Sequence, residues 1–301
     1  MHRLKRLLPL WLVLAGIWVR PCIVRGQSSA LIEGAPVSLH TSIPAGVCGE
    51  SMPASSVKAA LRRFCLRERG GNGSGSITAR NTIIVGFVGG FVRRDDLNHP
   101  EVQFAKYLRQ TYPSIHAEVF ANHDGKHALR RVLQLLDTNG DGVLAPSEKE
   151  RASIVIFGHS WGASQAITLA RELEGLDIPV LLTIQVDSVH KPGHKDGVIP
   201  SNVRSAVNFY QTKGVIHGRP HVRASDPQRT TIIGNFQMTY EDRRINCNNY
   251  PWIARHLNKP HHEIENDPLV WEQIASMIDS ELSKNTAAVE APVTSTSLDV
   301  R

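Results

Sequence analysis

The chain of 301 residues is marked first by what it lacks. It has no Walker-type phosphate loop and no Gly-x-Gly-x-x-Gly opening a helix after a strand. Nucleotide-driven and dinucleotide-dependent chemistry therefore have no sequence footing. Three His-x-x-x-His spacings occur, at 123/127, 190/194 and 217/221, but none carries the glutamate of a zinc-protease helix. The segment His190-Lys-Pro-Gly-His194 cannot form a regular helix at all. A catalytic zinc is accordingly not expected. No internal repeat is visible, which excludes solenoids and propellers. Cysteine is scarce, with residues 22, 48, 65 and 247 only.

An excess of charge is also missing once the N-terminus is set aside. Arg3, Lys5 and Arg6 precede an apolar run over 7–19, the pattern of a secretory signal peptide. The run is too short to span a bilayer comfortably, and Val24-Arg-Gly26 offers a small residue at a cleavage point. Segment 1–26 holds five basic residues and no acidic ones, so its removal lowers the formal charge from +6 to +1. The basicity belongs to targeting, and nucleic acid is not an expected partner. An exported chain is expected, secreted or periplasmic, with no transmembrane span in its mature form. Export permits a disulfide. Cys48 and Cys65 are the closest pair, and Cys247 would be left over, but an odd count leaves the pairing open.

Residues 27–76 read as an N-terminal extension with a helical stretch at 54–68, closed by the Gly/Ser-rich linker 70–76. From 77 to 283, apolar runs alternate with amphipathic ones. Strands are expected at 82–88, 116–121, 153–157, 179–187 and 204–211, and helices at 100–111, 126–136, 162–174 and 267–282. Asp267 and Pro268 look like the cap and first residue of the last helix. Such alternation predicts an α/β fold, an open, mostly parallel sheet with helices on both faces. Residues 284–301 are small and polar and read as a disordered tail.

Within this domain, the strand 153–157 runs into Gly158-His-Ser-Trp-Gly162 and then a helix. Gly-x-Ser-x-Gly alone is a weak signal, since average composition yields about one match in every ten chains of this size. Strand before and helix after make it a nucleophile elbow, with Ser160 exposed on a tight turn. Such a serine needs a base, an orienting acid and an oxyanion hole. Asp187 closes the next strand and shares the rim with Ser160; Asp226 and Asp242 are competing acids. His261 and His262 stand in a loop before the final helix, where the base is expected. His261 is favoured narrowly. Gly89 and Gly90 end the first strand, and their backbone, with the N–H of Trp161, would hold an oxyanion.

A second pattern is Asp137-Thr-Asn-Gly-Asp-Gly-Val-Leu-Ala-Pro-Ser-Glu148, which fits a 12-residue calcium loop position by position. Oxygen ligands fall at Asp137, Asn139 and Asp141, with the carbonyl of Val143 and a bidentate Glu148. Gly142 takes the sharp turn, and Ala145 leaves one direction to water. Four residues separate Glu148 from the elbow strand, so a full exiting helix has no room, and no second loop exists to pair with. One structural calcium ion is expected, acting as a clip and not as a sensor.

Over roughly 78–282 these features resemble the α/β-hydrolase superfamily in its lipase and esterase branch. The resemblance rests on GHSWG at 158–162, GFVGG at 86–90, Asp187 and His261. The loop at 137–148 resembles the EF-hand motif. The resemblance implies a serine hydrolase cleaving a carboxylic ester, on a small molecule or a lipid, through an acyl-enzyme on Ser160. Placing the acid after the strand that follows the elbow departs from many relatives, though some lipases use it. A non-catalytic exported calcium-binding protein on a hydrolase fold is the alternative. Acyl chain length and oligomeric state are not readable.

Overall fold

The computed structural model describes residues 82–290, residue 249 excepted. The expected signal peptide, the extension with its helix at 54–68, the pairing of Cys48 with Cys65 and residues 291–301 lie outside the described residues.

The domain opens with β1 (Thr82–Val88), α1 (Pro100–Thr111), β2 (Ile115–Ala121) and α2 (Gly125–Leu136). Then follow the short α3 (Pro146–Glu150), β3 (Ser153–His159), α4 (Trp161–Glu174) and β4 (Val180–Val186). A two-residue β5 (Val198–Ile199) pairs with β7 (Arg223–Ala224) beside β6 (Val203–Tyr210). The chain closes with β8 (Thr231–Gln237), α5 (Trp252–Leu257), α6 (Lys259–Glu265) and α7 (Pro268–Glu290). Six strands form one sheet in the order β2-β1-β3-β4-β6-β8, and every pairing in it is parallel. This is the expected α/β fold, an open parallel sheet with helices on both faces.

A parallel sheet must bury both faces, because its crossover helices lie on them. The side chains of β1 and β3 show how. Ile84, Val155 and Phe157 point into one core with Phe104 of α1 and Trp271, Ile274 and Ile278 of α7. Their neighbours Ile83, Val85, Ile154 and Ile156 point into the other, with Val132 of α2 and Ile167 and Leu173 of α4. The period of two along each strand thus feeds two cores at once. Fully burying one such Ile or Leu contributes about 1.5–3 kcal/mol, so the sheet's centre carries most of the stability.

The chain runs from β1 outward to β2, then returns across β1 to β3 and continues away in the other direction. That reversal makes the C-terminal ends of β1 and β3 the switch point of the sheet, the place where open α/β sheets commonly bind ligands.

Three expectations need correction. The strand β8 was not foreseen. It is the sheet edge, its residues are exposed or half-buried, and Gly234 interrupts it, so its alternation is faint. His261 is not in a loop but inside α6, which Pro260 opens near its first turn. The last helix does not stop at 282, and residues 284–290 are not tail; α7 runs to Glu290. The run Ala287-Ala288-Val-Glu290 has no core-facing pattern but high helix propensity, which carries a helix onward once it has begun. The start of α7 does follow its signals: Asp267 Oδ1 accepts the N–H of Leu269 at 3.0 Å. Among the described residues, no helix is long and apolar enough to cross a membrane.

Candidate active site

Ser160 stands between β3 and α4 with φ 57° and ψ −124°, a conformation a non-glycine residue adopts only under constraint. The constraint is visible in its neighbours. A Cβ on Gly158 would come within 2.5 Å of the backbone of Gly162, and a Cβ on Gly162 within 2.2 Å of the Phe87 carbonyl oxygen. Two glycines therefore let α4 begin directly against the end of β1. The N–H of Ser160 is held by the carbonyl of Val186 at 3.0 Å, which ties the turn to β4.

Asp187 follows β4 and is fully buried, also at positive φ (44°). Its Oδ2 lies 2.6 Å from His261 Nδ1, and His261 Nε2 lies 3.0 Å from Ser160 Oγ. With a carboxylate as acceptor, Nδ1 carries the hydrogen and Nε2 offers its lone pair to the serine hydroxyl. The three side chains form one hydrogen-bonded chain at the switch point. His262, the competing base, points elsewhere: its ring packs on Tyr250, and its Nδ1 lies 3.7 Å from Glu265 Oε2. Asp226 accepts the Gln228 N–H in a turn of its own, and Asp242 is exposed.

Gly89 presses on the serine, since a Cβ there would stand 2.9 Å from Ser160 Cβ. Gly90 adopts φ +48° with open space around it. The buried Asn122 donates its amide to the Gly90 carbonyl and fixes this turn. The backbone N–H of Trp161 opens α4 beside Ser160. At the mouth, Phe91 is 94% exposed and meets the Trp161 ring edge-on at 5.9 Å between centroids.

Several partners of this site carry no sequence motif. Asp187 Oδ1 accepts the N–H of Gly218 at 2.6 Å and that of Gln211 at 3.1 Å, while the Gln211 side chain donates to Oδ2 at 2.8 Å. Gln211 directly follows β6, on the same rim as Ser160 and Asp187, and that rim position was the signal available for it. Behind His261 lies the His159 ring, with centroids 4.5 Å apart. Behind His159 are two buried carboxylates, Glu101 and Glu265. Glu265 stands four residues after His261 in α6, on the same helix face, a relation hidden while 259–265 reads as a loop.

The electrostatics of this second layer are strongly perturbed. Burial pushes the His159 imidazole down to about 3. Burial, then the charge of Glu265, pushes Glu101 up to about 8. Burial opposes ionisation of Glu265 too, but His159, His262 and His99 surround it and hold it well below the usual carboxylate range. Burial works against the charge on His99 as well, yet its hydrogen bond to Glu265 prevails and raises it to about 9.

The loop 137–148 folds with Gly140 and Gly142 at φ +72° and +81°. Asp137 accepts the N–H groups of Gly140 (2.8 Å) and Gly142 (2.9 Å), and Asp141 that of Val143 (2.8 Å). Asn139 Oδ1 accepts the Asp141 N–H at 3.0 Å. Glu148, on the five-residue α3, reaches back to Thr138 N and Oγ1, both at 2.7 Å, and to Ala145 N at 3.0 Å. Those bonds, the Thr138 hydroxyl first, hold its carboxyl below the ordinary range. The donor set is all oxygen and the glycine turns are those a calcium loop needs, so the residues fit a hard cation. Asp137, Asp141 and Glu148 are not drawn into one tight cluster. Among the described residues the one group of His, Cys, Asp or Glu with three ligand atoms within 4.8 Å is His99, Glu101 and Glu265. None of the three His-x-x-x-His pairs contributes to it.

No family model and no curated protein matches the chain. Among solved structures, it is similar to a protein of Xanthomonas campestris pv. campestris assigned to the alpha/beta hydrolase superfamily. Identity there is 13%, over 65% of this chain and 99% of that one, with a TM-score of 0.32. It is also similar to a cutinase-like protein from Cryptococcus sp., at 11% identity over 68% of this chain and 97% of that one, with a TM-score of 0.37. Likeness this distant carries no inference about activity.

Proposed function

We propose that the chain is a serine hydrolase that cleaves a carboxylic ester through an acyl-enzyme on Ser160. The observation that carries this reading is the hydrogen-bonded chain from Asp187 through His261 to Ser160, with the serine on a strained turn at the switch point. His261 Nε2 takes the Ser160 proton as Oγ attacks the ester carbonyl. The oxyanion that forms is held by backbone N–H groups of Trp161 and of the Gly89/Gly90 turn, each donor contributing about 10²–10³ in rate. Collapse breaks the bond to the alcohol oxygen, which leaves with the proton from His261. Water, deprotonated by the same imidazole, then releases the acid and restores Ser160. Asp187 keeps Nδ1 protonated throughout and stabilises the imidazolium.

The aromatic pair Phe91 and Trp161 flanks the serine, so an apolar group beside the scissile bond suits the mouth better than a charged one. The loop 137–148 holds one calcium ion through Asp137, Asn139, Asp141, the Val143 carbonyl and Glu148. A bound ion would tie the end of α2 to α3, which leads into β3. The leader-like segment 1–26 supports export.

A fluorophosphonate probe tests the assignment. Covalent labelling of the wild type at Ser160, absent in Ser160→Ala, is expected, together with hydrolysis of short p-nitrophenyl esters. Turnover retained by a folded Ser160→Ala would overturn the reading.

A further inference from the structure

Glu101 lies fully buried in α1, and neither of its carboxylate oxygens has a hydrogen-bond partner. A buried charge without a partner costs several kcal/mol, and native proteins pair such groups or neutralise them. A second carboxylate, Glu265, is buried close by. Among the described residues neither is paired with a lysine or arginine; their titratable neighbours are histidines. His99 Nδ1 stands 2.7 Å from Glu265 Oε1. His159 Nδ1 stands 3.5 Å from Glu265 Oε2 and 3.7 Å from Glu101 Oε1.

These separations have a geometric meaning. Donors bound to one tetrahedral ion at about 2.0–2.1 Å are about 3.3 Å from one another. His99 Nδ1 and Glu265 Oε1 stand 2.7 Å apart, and one ligand atom from each of His99, Glu101 and Glu265 lies within 4.8 Å of the other two, so small side-chain shifts close the set around an ion. The donors are imidazole nitrogen and carboxylate oxygen, the set that zinc accepts and that calcium and magnesium do not favour. Asp96 faces the far ring nitrogen of His99 at 4.0 Å, where a carboxylate would orient a metal-bound imidazole. The His99 side chain is 12% exposed, so the cluster opens to solvent on that side.

We propose that His99, Glu101 and Glu265, with a water as fourth donor, form a buried zinc site behind the candidate active site. The ion neutralises both carboxylates, which lie beside the His159 ring against which His261 rests. Three positions are filled by protein, and none of the three side chains is hydrogen-bonded to Ser160. It stands independently of the hydrolase assignment.

The test uses the full chain carrying Glu148→Ala, so that metal in the 137–148 loop is not counted. The protein is stripped with chelator, loaded with zinc, desalted and analysed for metal content. One zinc per chain is expected. Adding Glu101→Gln weakens retention by at least about tenfold, as does adding His99→Ala. Cobalt in place of zinc develops the intense visible bands of a four-coordinate ion. Absence of zinc after loading would mean a proton-sharing carboxyl pair and would overturn the proposal. So would zinc that is retained equally in both variants, or cobalt bands no stronger than those of the aqueous ion. If Glu101→Gln does not fold, His99→Ala, nearer the surface, carries the comparison, and the cobalt spectrum needs no variant at this site.

Discussion

The backbone N–H of Gly218 donates to Asp187 Oδ1 at 2.6 Å, and a Cβ on Gly218 would lie 2.4 Å from that same oxygen. Hydrogen bond and missing side chain are two aspects of one contact. The glycine approaches closely enough to hold the carboxylate only because nothing projects from it. Asp187 is thereby fixed from the side opposite His261.

Gly218→Ala is therefore expected to move Asp187 without touching the serine or the histidine. Ester hydrolysis should fall through kcat by at least about tenfold, a displacement of the orienting acid by an ångström or so being enough. Fluorophosphonate should still label Ser160, more slowly. Steady-state kinetics of the purified variant check this; an unchanged kcat would show that Asp187 tolerates the shift.

His261→Ala should lower kcat by roughly 10⁴, and Asp187→Asn by a similar factor because it stabilises the wrong tautomer. His262→Ala should leave kcat within about tenfold of wild type, since His262 packs on Tyr250 and acts only through Glu265. If His262→Ala is the dead variant and His261→Ala the active one, the base is the neighbouring residue. If Asp187→Asn is fully active, Asp226 becomes the acid to examine.

Gly162→Ala should damage the fold itself. Its Cβ would meet the Phe87 carbonyl oxygen at 2.2 Å, backbone that cannot swing aside. Overpacking of this kind costs about 1–3 kcal/mol or more. A lowered melting temperature or insoluble expression is expected, whereas Gly90→Ala, with open space around it, should retain most of the stability despite its positive φ. Thermal melts of the two variants side by side make the comparison.

Calcium should stabilise the domain through the 137–148 loop. Extracellular modules of this type bind in the 10⁻⁴–10⁻³ M range, and at about a hundredfold excess over Kd binding adds roughly 2.7 kcal/mol. Chelation is expected to lower the melting temperature of wild type and to leave Glu148→Ala unmoved. Magnesium should substitute poorly, because it resists a bidentate carboxylate. An unchanged wild-type melt with no calcium heat by calorimetry would reduce the loop to an acidic turn.

Cys247 should resist alkylation. Burial first, then the nearby Glu263 and Glu265 charges, push its thiol up to about 12. At pH 8 the thiolate, the reactive form, is then on the order of one part in 10⁴. Iodoacetamide added to the reduced, folded protein should leave the Cys247 peptide unmodified by mass spectrometry, and denaturant should expose it. Rapid labelling in the native state would place the side chain at the surface.

The sequence was most informative where chemistry and local geometry coincide. Ser160 was legible because an apolar strand, two glycines and an amphipathic helix must produce a tight turn there. Asp187 was legible because a strand that ends on a carboxylate shows it to the rim. The helix α6 was not, because seven residues with Pro260 in the first turn and two adjacent histidines show no apolar period. The partners Gln211 and Gly218 have ordinary local sequence, and their role appears only once β4 and β6 lie side by side. The Glu101–Glu265 cluster was the least legible. Its members come from α1 and α6, and only the packing of both helices at the rim of the sheet brings them together.

The site's wiring also sets a timetable. Ser160 meets His261 across 101 positions of the chain, and His99 meets Glu265 across 166. A protein emerges from the ribosome N-terminus first, and segments fold as they become available. The residues of β1, β2, β3 and β4, and Ser160 with them, have all been synthesised before α6. Throughout that interval the serine has no His261 to accept its proton. On the proposed assignment, the cell that makes this chain holds an inert precursor until the last stretch is translated, with no inhibitor required.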